Sequence, residues 1–360
     1  MTSAARPECR GVAVDANGAD LGPAEVAAGA RLAAAEGVRV LLFGPAAELG
    51  SSGGGVEVVD APVSIAKQSD PVRAVRATPD ASIVRAARAV AAGEADALVC
   101  GGSTGAALAA GLFQIKRAPG IHRPALAVPI PVPGHPVTLL DVGANAEARL
   151  EHLVQFAYMG AAFATAVLGI ARPRVGLLSN GGEVGRGSQL LIDARALLAD
   201  RGATDGGGVF DFVGNVEGDG LVQGAADVVV TDGLTGNIAL KLIEGVSQVM
   251  LGGVRDAARS TRAATVGGML LRPALRGFRA EIDPEAQGGA YLLGLRRLGV
   301  VTHGRFGRDG VAQAILRAAR GVEEDVVGRT HAALEAAGAL RRRAAPGASG
   351  DGATVTGHDD

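Results

Sequence analysis

The 360 residues carry 35 Lys+Arg against 37 Asp+Glu, a net charge of -2, with 48% hydrophobic and 20% charged residues. That apolar fraction supports a sizeable core and excludes global disorder, while the charge balance argues against a nucleic-acid coat protein. Aromatic residues at 3%, with no Trp, leave no stacking platform for single strands, and two cysteines, Cys9 and Cys100, exclude a disulfide framework and a four-cysteine zinc site. The opening MTSAARPECR lacks the apolar run of a signal peptide, and no stretch reaches the roughly 18 apolar residues of a membrane span. The expectation is a cytoplasmic protein that binds no nucleic acid.

Short apolar runs alternate with helical patterns along the chain. Residues 11–14 read as a strand leading into a Gly-rich loop, 24–36 as an Ala-rich helix, and 38–43 as a strand ending at Gly44-Pro45. Residues 80–92 read as a helix started by Asp80. Residues 97–100 read as a buried strand, followed by a glycine loop and a helix from about Ala106. Strands at 126–130 and 137–140 flank a Pro-rich turn, and 151–168 is a long helix. Residues 174–178, 209–213 and 227–231 read as strands, each followed by a polar glycine loop and a helix. Residues 51–55 and 206–208 read as loop tips, and 1–10 and 343–360 as disordered tails. This alternation implies a mainly parallel sheet covered on both faces, with ligands beyond the carboxyl ends of its strands.

Six loops share Gly with Ser, Thr, Asn, Asp or Glu. They are Asp15-Ala-Asn-Gly-Ala-Asp20, Gly101-Gly-Ser-Thr-Gly105, Asp141-Val-Gly-Ala-Asn145, Asn180-Gly-Gly-Glu-Val-Gly-Arg-Gly187, Gly214-Asn-Val-Glu217 and Thr231-Asp-Gly-Leu-Thr-Gly-Asn237. Small residues let a backbone approach a ligand closely. Six such loops are expected together at one edge of one sheet. None fits a P-loop, a dinucleotide fingerprint, a nucleophile elbow or a paired metal site.

In order and content these loops resemble the acyl-carrier-protein phosphate acyltransferases of bacterial phospholipid synthesis, the PlsX family. Asp15 to Pro23 is similar to that family's opening Asp-Ala-Met-Gly-Gly-Asp-x-Gly-Pro, and Gly102 to Ala106 to its Gly-Asn-Thr-Gly-Ala. Gly120 to Ala125, Asp141 to Asn145, Leu153 to Ala157, Gly181 to Gly187 and Phe212 to Glu217 match further motifs. The longest match is Ala226 to Asn237, with Lys241 and Glu244 on the next helix. Gln287-Gly-Gly-Ala290 and His303-Gly304 complete a collinear set from Gly11 to Ala319. Departures fall in the loops, at Asn17, Ala19, Ser103, Val184 and Arg186 and across residues 305–308.

The resemblance implies a three-layer α/β/α fold like that of isocitrate and isopropylmalate dehydrogenases, as one catalytic domain over residues 11–342 with two lobes around a cleft. It implies that orthophosphate attacks the thioester of acyl-acyl-carrier-protein, giving acyl phosphate and free carrier, without a cofactor or metal. A homodimer touching an anionic membrane peripherally is implied as well. Lys241, Asn237, His303 and Asn215 are the catalytic candidates. Asp15, Gly18, Ser103, Thr104, Gly105, Asn145, Glu183, Arg186, Glu217, Asp232 and Thr235 are the substrate-binding candidates. Alternatives are a phosphotransacetylase-like enzyme using acyl-CoA, a metal-dependent dehydrogenase of the same fold, a divergent paralogue of a dedicated pathway, and a non-catalytic carrier binder.

Each candidate also has an ordinary structural role open to it. Asp15 and Asp232 can cap helices, the asparagines can hold turns, Arg186 can pair with Glu183 or Glu217, and His303 can sit half-buried. Cys100 reads as a small core hydrophobe. Outside the loops, Arg255, Arg259, Arg262, Arg272, Arg276 and Arg279 face only one acid, Asp256. Leu271, Leu275 and Phe278 recur beside Arg272, Arg276 and Arg279 at helical spacing, a pattern for an anionic membrane or an acidic partner. Pro273 suits only the first turn of such a helix.

Overall fold

The computed structural model describes residues 10–132, 136–204, 208–281, 285 and 288–341. The amino-terminal half runs β1 (Val12–Asp15), α1 (Pro23–Ala35), β2 (Val40–Gly44), α2 (Ala46–Leu49), β3 (Val56–Asp60), α3 (Pro71–Ala77), α4 (Ser82–Ala92), β4 (Ala97–Gly101) and α5 (Thr104–Ala110). A single π turn (Gly111–Ile115) extends α5. There follow β5 (Ala125–Ile130), β6 (Val137–Leu140), α6 (Leu150–Val167), β7 (Arg174–Leu178), α7 (Gln189–Thr204), β8 (Asp211–Val216), α8 (Gly218–Gln223) and β9 (Val228–Val230). The chain closes with α9 (Gly233–Ala257), α10 (Arg262–Glu281), β10 (Ala290–Leu293), β11 (Leu298–Thr302), α11 (Arg308–Glu323) and α12 (Val326–Ala336).

All strands join one sheet in the order β3-β2-β1-β4-β11-β10-β5-β6-β9-β7-β8. Successive strand residues face opposite sides, and the core divides accordingly. Val12, Val14, Val40, Leu42 and Val99 pack with α1, α6 and α11 on one side. Ala13, Leu41, Phe43, Leu98 and Cys100 pack with α4 and α5 on the other. Both faces are therefore covered, giving the expected three layers. The central strands are largely apolar because a strand buried on both faces cannot alternate with polar residues, whereas the edge strands β3 and β8 carry exposed polar residues such as Glu57, Asp60 and Asp211.

The sheet is mainly parallel, but three pairings are antiparallel: β10 with β11, β10 with β5, and β5 with β6. Strands β6, β7, β8 and β9 consequently run opposite to β1 to β4 and β11. This corrects the expectation of six loops at one edge. The loops after β1 and β4 lie at one edge, and those after β6, β7, β8 and β9 lie at the other. The physical reason is the β5–β6 hairpin, which needs no crossover and reverses every strand added beyond it.

Three local expectations also change. Asp80 caps nothing: α4 begins at Ser82, behind Ala81, with no side-chain cap. Helix α5 begins at Thr104 rather than Ala106. Pro273 sits inside α10, not in its first turn. The missing N–H of Pro273 leaves the carbonyl of Met269 without its helical donor, and Met269 is exposed, so water can satisfy it. The expected tails, apart from Arg10, and residues 206–207 lie outside the described residues.

Candidate functional site

Strand β5 places Leu126, Val128 and Ile130 on one face, where they floor a cavity of about 780 Å³. Helix α9 forms one flank. Asn237, Lys241, Glu244, Gln248 and Leu251 recur at three- and four-residue spacing, so one helical face lines the cavity. The opposite flank comes from Thr104 at the start of α5, from Thr302 at the end of β11, and from His303, Arg305 and Phe306 beyond it. The two loop groups that the hairpin sends to opposite edges meet here, because α9 carries residues from the second group along the sheet face toward the first.

The polar groups have defined partners. Lys241 Nζ lies 2.6 Å from Glu244 Oε2. His303 Nδ1 accepts a hydrogen bond from the Arg305 amide at 3.2 Å. In the neutral ring this bond leaves the proton on Nε2, where it can be donated. Asp232 caps α9 by accepting from the Thr235 amide at 2.9 Å and the Thr235 hydroxyl at 2.7 Å, so both residues hold the helix start.

That helix start is set by glycine. A Cβ on Gly236 would lie 1.9 Å from the Asp141 carbonyl oxygen, and one on Gly233 would lie 2.4 Å from that of Asn145. Only glycine lets the first turn of α9 rest on the loop after β6. Asp141, fully buried, organises that loop through the amides of Leu126 at 2.9 Å, Ala144 at 3.0 Å and Asn145 at 2.8 Å. Burial pushes its carboxyl above the usual range, and these donors oppose the rise. Asn145 donates to Asp141 and to the Pro124 carbonyl, and so serves the loop rather than the cavity.

The remaining candidates lie apart from the lining. The Asn215 amide nitrogen donates to the Gly181 carbonyl at 3.0 Å and to that of Glu183 at 3.3 Å. Glu217 accepts from the Gly182 amide at 3.2 Å, and Arg186 pairs with Glu183 at 3.5 Å on the surface. Asn215 sits within β8, so residues 214–216 of the expected loop are strand; from there it and Glu217, just beyond β8, hold the loop after β7 that carries Glu183 and Arg186. Gly18 is packed on the loop after β4, where a Cβ would lie 2.1 Å from the Gly101 carbonyl oxygen. Ser103 donates to the Ala66 carbonyl at 3.3 Å, and Gly105 abuts Pro71.

Asp15 is buried, and burial raises its carboxyl despite bonds to Ser82 and the Asn17 amide. Cys100 Sγ donates to it at 3.7 Å. Burial first, and then the Asp15 charge, push the thiol well above its usual range. Such a thiol is a poor nucleophile. Cys100→Ala is expected to keep full turnover at a stability loss of about 1 kcal/mol. An acyl group trapped on Cys100, detected by mass spectrometry, would contradict this. Cys9 lies outside the described residues.

Glu244, Glu285, Thr302 and Arg305 line the cavity but were not among the candidates. Helical spacing from Asn237 and Lys241 signals Glu244, whereas nothing local signals Glu285. Away from the cavity, His122, Glu151 and His152 bring ligand-type atoms within 4.8 Å of one another. His152 Nδ1 accepts the Arg149 amide, which leaves the proton on Nε2 and no free lone pair for an ion.

The fatty acid synthesis protein family model matches residues 11–329. A phosphate acyltransferase of Geobacillus thermodenitrificans (strain NG80-2) is 40% identical over 330 residues, covering 90% of this chain and 98% of its own. Another from Enterococcus faecalis (strain ATCC 700802 / V583) is 41% identical over 325 residues, covering 88% and 96%. Among solved structures, the EutD phosphotransacetylase from Staphylococcus aureus superposes with a TM-score of 0.56 at 18% identity, covering 87% of this chain and 94% of its own. That last likeness shows the fold alone.

Proposed function

The chain belongs to the fatty acid synthesis protein family and is a phosphate acyltransferase, and from that premise we propose that it transfers the acyl group of acyl-acyl-carrier-protein to orthophosphate in the cavity between α9 and the loop after β11. The observation that carries this reading is the cavity's lining. An apolar floor from β5 suits an acyl chain, and Lys241, Asn237, Thr104 and His303 stand along its flanks. A phosphate oxygen attacks the thioester carbonyl carbon, a C–O bond forms, and the C–S bond breaks. The Lys241 ammonium offsets phosphate charge, Asn237 and Thr104 donate toward the carbonyl oxygen as it becomes an oxyanion, and the His303 Nε2–H donates a hydrogen bond to the departing thiolate, which takes its proton from the attacking hydrogenphosphate. Asn215, Asn145 and Asp232 act through the loops they hold.

The test is phosphate-dependent release of free thiol from acyl-carrier and acyl-CoA donors, with and without chelator. Turnover with the carrier donor, unchanged by chelator and requiring no nucleotide, is the expected result. Preference for acyl-CoA would favour the phosphotransacetylase-like alternative. Loss of activity in chelator, restored by a divalent ion, would contradict metal-free chemistry.

The surface of α9 turned away from the cavity supports the homodimer. Leu234, Ile238, Leu242, Val246 and Val249 form an exposed apolar stripe, with Val249 76% exposed. A stripe of this length is the kind of surface that a second copy covers. No helix among the described residues is long and apolar enough to cross a membrane. The proposed membrane contact is the exposed Met269, Leu270 and Leu271 of α10, with Arg272 beside them. The side chains of Leu275, Arg276, Phe278 and Arg279 lie outside the described residues. Leu271→Glu is expected to reduce sedimentation with anionic vesicles while leaving thiol release in solution intact. Equal binding of wild type to neutral and anionic vesicles would remove the electrostatic part of this contact.

A further inference from the structure

Residues 64–76 form a wall beside the Thr104 end of the cavity. Ser64 donates to the Asn17 carbonyl at 3.0 Å, Ser103 donates to the Ala66 carbonyl at 3.3 Å, and a Cβ on Gly105 would lie 2.8 Å from Pro71. The wall is thereby tied to the loops after β1 and β4. Asp70 caps α3 by accepting from the Arg73 amide at 3.0 Å.

Three cations face outward from this wall: Lys67, Arg73 and Arg76 are all exposed. None of them takes part in any of the ion pairs found among the described residues. The Arg76 guanidinium lies 4.5 Å from the centre of the Phe113 ring, which holds it in place. Val72, 47% exposed, stands among them. On a chain of net charge -2, Lys67 and Arg73 stand outside these ion pairs, and Arg76 is held by the Phe113 ring rather than by a carboxylate. Such a group favours an anionic partner that approaches the cavity mouth.

We propose that this wall is the docking surface for the acyl-carrying protein, an acidic domain whose carboxylates meet Lys67, Arg73 and Arg76 while its apolar contact meets Val72. The proposal rests on the functional reading above. A membrane fits this wall poorly. Helix α3 has seven residues and one exposed large aliphatic side chain, whereas an interfacial helix needs a continuous apolar face.

The test compares wild type with Lys67→Glu/Arg73→Glu, using dodecanoyl carrier protein and dodecanoyl-pantetheine as donors with phosphate. The expected result is a KM for the carrier donor raised about tenfold or more, with an unchanged kcat, and pantetheine turnover equal to wild type, as for long-range charge steering. The wild-type KM for the carrier should rise with salt, and the double variant should lose that dependence. Lys67→Arg/Arg73→Lys should retain the wild-type values. Wild-type turnover with an unaltered carrier KM in the charge-reversed variant overturns the docking surface and leaves the functional reading standing. An equal loss with both donors also overturns it, as does binding of anionic vesicles that depends on these two residues in place of the carrier effect. No turnover of either donor by wild type overturns both.

Discussion

Lys241→Ala is expected to lower phosphate-dependent thiol release by about 10²–10³-fold, the scale seen when one charge-stabilising group is removed from a transition state. Its melting temperature should scarcely move. Lys241 is half exposed and pairs with Glu244 across one helical turn, an arrangement worth only about 0–1 kcal/mol. Kinetics and thermal unfolding on the same preparation check this, with Asn237→Ala as a second variant on the same helical face. If activity and melting temperature fall together, Lys241 holds α9 in place and does not meet phosphate.

Asp141→Ala should produce the opposite signature, a loss of about 3–5 kcal/mol in stability, as for other buried charges removed from their donors. The carboxylate accepts from the amides of Leu126, Gly143, Ala144 and Asn145 and from the Asn145 side chain, and alanine leaves all of them without this acceptor. Urea unfolding measures the loss. Activity should fall with stability, because the Asp141 carbonyl supports Gly236, and the first turn of α9 positions Asn237 and Lys241. Gly236→Ala should act through the same contact, since no rotation relieves a methyl group 1.9 Å from a backbone oxygen. A stable Asp141→Ala protein with intact activity would mean that the loop after β6 is held by other contacts.

These two residues also show how much the amino-acid sequence discloses. The buried strands β1, β2, β4 and β7 are legible because runs of Val, Leu and Ala end at Gly, Asp or Ser, and local burial suffices to define them. The family is legible for a related reason. Glycines at 18, 233 and 236 mark backbone approaches that a Cβ would block, and Gly105 a close approach to the Pro71 ring; all four sit in the motifs that carry the resemblance. Strand β3 and helix α3 are not legible locally, because β3 is a short edge strand behind the Gly-rich 51–55 loop with Glu57 and Asp60 exposed, and α3 has seven residues with only Val75 buried.

The sequence by itself determined the α/β layering, the glycine loops and the family. Only the tertiary structure decided which of those loops share a cavity. The Pro-rich turn after β5 is visible in the sequence, but its effect is not. The β5–β6 hairpin that reverses the chain is local, but β9, β7 and β8 join beyond it through pairings between residues far apart in the chain, such as Thr138 with Val228, and no local pattern names a strand's partner. Asn215, Glu183, Arg186 and Glu217 share the composition of the site loops yet support one another elsewhere. Thr104, Asn237, Lys241 and His303 come from three separate segments and converge because α9 folds back along the face of β5.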